Sequence, residues 1–551
     1  MKKLLVLLLG FLTSLPALGQ KSPDWLKSAV FYQIYPSSFQ DSDGNGIGDL
    51  KGIQSRLDYV QSIGVNTIWL NPIFKSGFID GGYDVIDYYQ VDPRFGTNSG
   101  LVELVKEVHR RKMHIVLDLV AGHSSNQSEW FKQSMQADSN LQHSDYYIWA
   151  PTKPADLSQQ DASRWVEANA PRARYYIKNY YDQQPALNYG YAHPDPKHPW
   201  EQAVDAPGPQ AVRRELENII TFWLEKGVDG FRVDMASSLV KGDPDKAATI
   251  ALWKDITGWF RGRFPEGVLI AEWFNPKQSI AAGFDVDFLR PGKLTSANER
   301  GSTTPAKVYF DKAGEGSAAD WETYFKDQYE STVGKGYMSL PTGNHDEPRI
   351  ANQVRHDPAE LKTLLTFVLT QPGIPFLYYG DELGMKYVAD SPDVEGSRNR
   401  SGSRTPMQWD GSEDAGFSTA PKDKLYIPLD PDPDRPTVTK QDKDPKSQLN
   451  YVRGLLRLRK SSAALGNDGG LEFLSDPAQS YPLVYLRRNG KEKYVVAVNP
   501  TSKAVEAKIA SQDANRVTYA FGTTETSSYK KGKEVDTIQL PPVSAAVFRL
   551  E

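Results

Sequence analysis

The chain of 551 residues contains no cysteine. Disulfides, thiolate metal ligands, a cysteine nucleophile and a lipidated cysteine anchor are thereby excluded. It also has no basic run. Its 64 Lys and Arg stand against 69 Asp and Glu, for a net charge of −5, so nucleic acid is not an expected partner. Long apolar runs are missing too, apart from one at the start. Leu4 to Leu15 follows Lys2 and Lys3 and ends at Ala17-Leu18-Gly19. That run is short of the ~20 residues of a membrane span and has the shape of a secretory signal. The expectation is a signal at residues 1–19, no membrane anchor, and a secreted or periplasmic bacterial protein. There is no internal repeat and no low-complexity tract. Aromatics are plentiful, with 12 Trp and 28 Tyr. Such flat faces stack on sugars as well as filling cores.

The organising stretch is Gly230-Phe231-Arg232-Val233-Asp234. It reads as a short buried strand ending in a carboxylate. Residues two apart on a strand share a face, so Arg232 and Asp234 point into one site. A neighbouring arginine favours the ionised aspartate.

Strand and helix patterns alternate on either side of it. Val30–Tyr35, Thr67–Pro72, Ile115–Val120, Val268–Trp273, Phe284–Phe288, Tyr337–Leu340 and Pro375–Tyr379 read as strands. Leu50–Gly64, Leu101–Lys112, Val212–Lys226, Trp253–Phe264, Leu361–Thr370 and Leu449–Arg459 carry helical spacing. This alternation predicts an α/β chain with a parallel sheet, and eight such units make a (β/α)8 barrel. The rhythm fails over 123–205, which is too long for a structureless loop and reads as an inserted subdomain. From about Leu471 only short strands follow, which predicts a small antiparallel β domain at 466–551. The barrel then occupies 20–122 and 206–465, and the polar stretch 386–446 folds over its active face.

In such a barrel the reactive residues lie at the carboxyl ends of the strands. Asp118, Asp234, Glu272 and Asp346 all fall there. Two carboxyl groups across a glycosidic bond can cleave it, one attacking the anomeric carbon and the other protonating the departing oxygen. Asp234 suits the nucleophile. Glu272, beside Trp273 and after an apolar strand, suits an acid of raised pKa. A second feature is Asp41 to Asp49, where oxygen ligands recur at alternate positions between glycines, as hard cations require. It is not an EF-hand, because position twelve is Gly52 rather than Glu.

Four segments taken together resemble the α-amylase superfamily, glycoside hydrolase family thirteen. They are Asp118 to His123, Gly230 to Asp234, Ala271-Glu272-Trp273 and Asn344-His345-Asp346. The resemblance covers about Trp25 to Val547. It implies a barrel with an inserted B domain and a C-terminal β-sandwich. It further implies Asp234 as nucleophile, Glu272 as acid/base and Asp346 as transition-state stabiliser. Tyr83, Asp84, His123, Arg232 and His345 would line the subsite for the reacting glucose.

Within that family the chain is similar to the oligo-1,6-glucosidase and α-glucosidase branch. Asp41, Asp43, Asn45, Ile47 (by its carbonyl) and Asp49 match its cation loop, which implies bound calcium or magnesium. Gln184-Pro185-Ala186-Leu187-Asn188 and Arg404 to Trp409 resemble two of its signatures. Arg400 resembles the arginine that joins Asp84 to close the pocket around a non-reducing end.

The expected partner is therefore an α-glucan oligosaccharide, cut one glucose at a time from its end. Gly122 departs from the Asn common at that position. Met235 is neither the Val nor the Thr that accompany α-1,6 and α-1,4 activity, so linkage stays open. Ser237 and Ser238 replace the Lys-His of many endo-amylases. Endo-amylase, glucosyl transferase or isomerase, and a non-catalytic binding homologue are the competing expectations.

Overall fold

The computed structural model describes residues 22–154, 158–290, 308–352, 355–475 and 480–551. The expected signal at 1–19 lies outside them. Eight strands form one parallel sheet: β1 Phe31–Ile34, β2 Thr67–Leu70, β3 His114–Val120, β4 Gly230–Asp234, β5 Val268–Ala271, β6 Val286–Phe288, β7 Tyr337–Ser339 and β8 Phe376–Tyr378. Their spatial order follows the chain, with β8 beside β1. The ring closes where Ile374 N–H donates to the Met338 carbonyl and Thr342 N–H to that of Phe376 (2.9 Å each). This is the (β/α)8 barrel that the alternation predicts.

The two-residue period of the strands sorts their side chains. Phe31, Trp69, Val116, Val268, Ile270, Val286, Phe288 and Phe376 fill the barrel's interior as one apolar cluster. Their neighbours Tyr32, Ile68, Ile115, Phe231 and Leu269 pack outward under the helices. Two residues further along the inward face the chain turns polar: Gln33 follows Phe31, Asp118 follows Val116, and Arg232 follows Gly230. Gly230 starts its strand at φ +154°, and a Cβ there would lie 2.1 Å from the Val268 carbonyl oxygen. β4 and β5 approach so closely that only glycine fits.

Each strand is followed by helix, the predicted segments among them. The helix Asn98–Arg110 is capped by Thr97 and buries Leu101, Leu104, Val105 and Val108 on one face. The expected helix 50–64 is instead two pieces, Leu50–Ser55 and Leu57–Ile63. It breaks at Arg56, whose Nε donates to Gln40 Oε1 (2.6 Å) while its guanidinium lies 4.2 Å over the Trp409 ring.

Between β3 and the helix Pro207–Leu224 the chain forms a three-stranded antiparallel sheet from Trp149–Ala150, Tyr175–Ile177 and Trp165–Glu167. At the C-terminus a five-stranded antiparallel sheet faces a three-stranded one. Val484, Leu486, Val495, Ala497, Ala546 and Phe548 pack against Ile509, Ile538 and Leu540 of the smaller sheet. The alternate residues Leu483, Tyr485, Val496 and Val547 pack into the barrel's own core cluster.

Candidate active site

Arg232 stands at the centre of the polar end of the barrel. Its side chain is 3% exposed, and it holds three carboxylates: Asp118 (2.8 Å) and Asp234 (3.0 Å) through Nη1, and Glu272 (2.8 Å) through Nη2. One cation among three acids leaves a buried excess of negative charge. Burial raises the carboxyls of Asp234 and Glu272 to about 7 each, with neighbouring carboxylates adding to it and Arg232 opposing it. Asp118 rises to about 6 from the same burial. The sequence led us to expect that Arg232 would keep Asp234 ionised. Arg232 is shared three ways, and desolvation outweighs its part. Asp234 is therefore raised toward neutrality as Glu272 is, with Asp118 the carboxylate that adds most to its shift.

Met235 follows Asp234 in a left-handed conformation, φ 49°, which is costly for a residue with a side chain. That turn brings its N–H onto Glu272 Oε2 (2.9 Å).

Asp346 has different company. Arg400 Nη1 (2.9 Å) and Arg404 Nη2 (3.1 Å) both donate to its Oδ1, and His345 Nε2 lies 3.4 Å from its Oδ2. Burial alone would raise this carboxyl. His345, Arg400 and Arg404 outweigh it and hold Asp346 well below the usual carboxylate range. Burial also drives His345 well below its ordinary value, so at neutral pH the two arginines supply the charge. The amide nitrogens of Gln33 and Asn71 face His345 Nδ1 at 3.0 and 3.2 Å. That nitrogen is the acceptor, and the proton sits on Nε2, 2.8 Å from the Tyr83 hydroxyl. Tyr83 in turn donates to Asp118 Oδ2 (3.0 Å).

The structure brings Tyr83, Arg232, His345 and Asp346 into one network. It places Asp84 elsewhere. Asp84 is fully buried and accepts from Ser76 Oγ, Ile79 N–H and Asp80 N–H, so it braces the turn that leads to Tyr83. Arg400 does not pair with it. Its partner is Asp80, at 2.6 Å. Asp80 is the residue that sequence reasoning missed. The one available signal was its place before the turn Gly81-Gly82, where a Cβ on Gly81 would lie 2.9 Å from Arg404 Nη1.

Gln184 of the Gln-Pro-Ala-Leu-Asn segment donates to Asp80 Oδ2 (2.9 Å), giving that signature a structural task. The Arg400 loop is fastened on two more sides. Tyr181 donates to the Gly396 carbonyl (2.6 Å), and Glu395 pairs with Arg94 (2.6 Å). Tyr426 donates to Glu395 (2.9 Å) and meets Tyr35 (3.1 Å), which contacts Arg404.

The acidic loop lies apart from this network. Asp41, Asp43 and Asp49 each bring an oxygen within 4.8 Å of the others. Asp43, Gly44 and Gly46 N–H groups donate to Asp41, winding the loop around it. Asn45 Oδ1 accepts from the Ile47 N–H (2.8 Å). Asp49 also caps the helix Leu50–Ser55. An all-oxygen donor set of this kind fits a hard divalent cation.

Residues 33–468 match the family model described as alpha amylase, catalytic domain. The chain is 29% identical to the oligo-1,6-glucosidase of Parageobacillus thermoglucosidasius over 600 residues, covering 96% of this chain and 99% of that one. It is 30% identical to maltase A2 of Drosophila melanogaster over 529 residues, covering 87% of each. Among solved structures, the trehalulose synthase of Pseudomonas mesoacidophila MX-45 superposes with a TM-score of 0.78 at 25% identity, over 96% of this chain and 100% of that one.

Proposed function

The chain belongs to the α-amylase family of glycoside hydrolases, and from that premise we propose that it is a retaining, exo-acting α-glucosidase. It releases α-1,6- and/or α-1,4-linked glucose from the non-reducing ends of short oligosaccharides. The observation that carries the exo reading is the Asp80–Arg400–Asp346 bridge. It ties the loop after β2 to the Arg400 loop and to Asp346, and we read this tie as closing one end of the substrate cleft. A pocket closed at that end admits a chain terminus and not a chain middle.

Asp234 attacks the anomeric carbon as Glu272 gives its proton to the departing oxygen. Glu272 then takes a proton from water, whose oxygen displaces Asp234 with net retention. Asp346, kept ionised by its two arginines, faces the positive charge that develops at the ring. Tyr83, His123, Arg232, His345 and Arg400 line the glucose subsite, with Asp80 in the place that the sequence assigned to Asp84.

Asp41, Asp43, Asn45, the Ile47 carbonyl and Asp49 would hold calcium, or magnesium, which would offset most of the charge of the three carboxylates and brace the loop against its helix. Calcium should raise the melting temperature of the chelator-treated enzyme and leave an Asp43→Asn/Asp49→Asn variant unmoved. An equal rise in both would remove the cation from this loop. A secreted or periplasmic location stands as part of the same proposal, tested by the N-terminus of the exported protein.

The deciding experiment resolves the products from isomaltose, maltose, panose, trehalose, sucrose and soluble starch over time. Glucose from the small sugars with starch nearly intact is the expected result, and it names the linkage. Rapid shortening of starch would make the protein an endo-amylase. New disaccharides would make it a glucosyl transferase or isomerase, the activity its trehalulose synthase neighbour is named for. No turnover of any substrate by the folded protein would sink the enzymatic reading.

A further inference from the structure

His123 is buried at the end of β3, and both of its ring nitrogens are occupied. Nε2 lies 3.0 Å from the Tyr83 main-chain carbonyl, which can only accept. Nδ1 lies 3.2 Å from Asn179 Nδ2. The orientation of that amide is set independently, because the same Nδ2 lies 2.8 Å from the Gly122 carbonyl oxygen. Two acceptors claim its two protons, so Nδ1 accepts and the ring proton resides on Nε2.

Asn179 comes from the inserted segment, not from the barrel. Its backbone is fixed by Asn179 N–H to the Gln184 carbonyl (3.0 Å), in the turn whose Gln184 also holds Asp80. The space it enters exists because residue 122 has no side chain. A Cβ on Gly122 would stand 2.8 Å from Asn179 Nδ2, while its other neighbours, Leu239 and Met235, stay at ordinary contact of 3.7 and 3.9 Å.

We propose that Asn179 is a positioning residue for His123, and that Gly122 is glycine in order to admit it. The inserted segment thereby joins the Tyr83 carbonyl in holding the ring proton on Nε2 and in fixing the orientation of the pocket histidine. Burial, which pushes His123 down to about 4, keeps the ring neutral and makes this choice of tautomer the relevant variable. The proposal rests on the reading of His123 as part of the glucose subsite.

Two measurements test it. The first is spectroscopic and independent of activity. In protein labelled with 15N-histidine, His123 (assigned by loss of its signal in His123→Asn) should be neutral with the proton on Nε2. Asn179→Asp puts an acceptor in front of Nδ1 and should place a proton there at neutral pH. An unchanged His123 signal in that variant would overturn the proposal.

The second is kinetic. Gly122→Ala displaces only the flexible amide, so the protein should fold. Gly122→Ala and Asn179→Ala should each lower kcat/KM about tenfold, and the double variant should lose no more than either alone. Losses that multiply, or single variants with wild-type kcat/KM, would equally refute it. Absence of glucosidase activity in the wild type would remove the functional premise and leave the first measurement to decide the tautomer.

Discussion

Two of the places where the described residues bury unbalanced charge treat it in opposite ways. At the open end of the barrel, Asp118, Asp234 and Glu272 share Arg232. At the junction with the C-terminal sheets, Arg459 and Arg487 are buried and, among the described residues, paired with no carboxylate. Arg459 donates to the carbonyls of Leu369, Gln371 and Gly373 and to Asn467 Oδ1. Arg487 donates to those of Thr370, Gly466, Gly469 and Gly470.

Leu369 and Thr370 end the helix Pro358–Thr370, whose last carbonyls are unsatisfied and carry the negative end of its dipole. The arginines saturate that end and tie it to the β domain. Desolvation shifts the groups in both places. Burial lowers Arg487 to about 10 and lifts Glu272 to about 7. Only the carboxylates are brought into the range where a proton can leave and return during turnover. Excess charge surrounded by fixed dipoles is structural, whereas excess charge of one sign left partly uncompensated at a cleft is chemical.

Substitutions can break this contrast from either side. The largest effect belongs to Glu272→Gln, which should cut kcat about 10²–10⁴-fold, measured on the best disaccharide. It should do so without destabilising the fold at pH 8, because it removes one negative charge from a crowded site. Next is Arg459→Met. Three carbonyls and an amide oxygen would lose their donor, and stability should fall by about 3–5 kcal/mol in denaturant titration. The KM of the remaining folded enzyme should not change. A drop in kcat/KM at full stability would mean that the junction is not merely structural.

Arg400→Ala lies between the two regimes. It frees Asp80 and one side of Asp346, and kcat/KM for disaccharides should fall about 10–100-fold. Relative activity on longer chains should rise as the closed end opens.

The smallest effect is the pH dependence. Glu272 has a folded-state value of about 7 against an ordinary 4.5. Between those values the folded protein keeps a proton that the unfolded chain has released. Stability is therefore full below that window and declines as pH rises through about 7. Melting temperature should show this decline, and Glu272→Gln should make it shallower while leaving the shares of Asp234 and Asp118. An equal slope in both would place the titration elsewhere. The kcat/KM profile should fall on the alkaline side as Glu272 loses its proton and on the acid side as Asp234 gains one.

Much of the architecture was legible in local pattern. Periods of two and of three to four mark the strands and helices, and their alternation implies the barrel. The barrel's geometry then brings strand-end carboxylates together, so Asp118, Asp234 and Glu272 meet on Arg232 although 154 positions separate the first from the last. The break at Arg56 was not legible, because it depends on Gln40 and Trp409, which reach it from other parts of the fold.

What the sequence determined by itself is therefore whatever repeats locally or follows from strand order: the fold class, the carboxylate trio, and the oxygen-rich loop 41–49 as a cation candidate. Tertiary structure alone decided the partners. Arg400 takes Asp80 and not Asp84, because Asp84 is already bound by Ser76 Oγ and by the Ile79 and Asp80 N–H groups of the same turn. Asn179 serves His123 because a separate segment folds over an empty Gly122. Asp234 does not keep Arg232 to itself, because two other carboxylates converge on the same guanidinium. Such choices depend on distances between loops, and a sequence encodes those only through the whole packed chain.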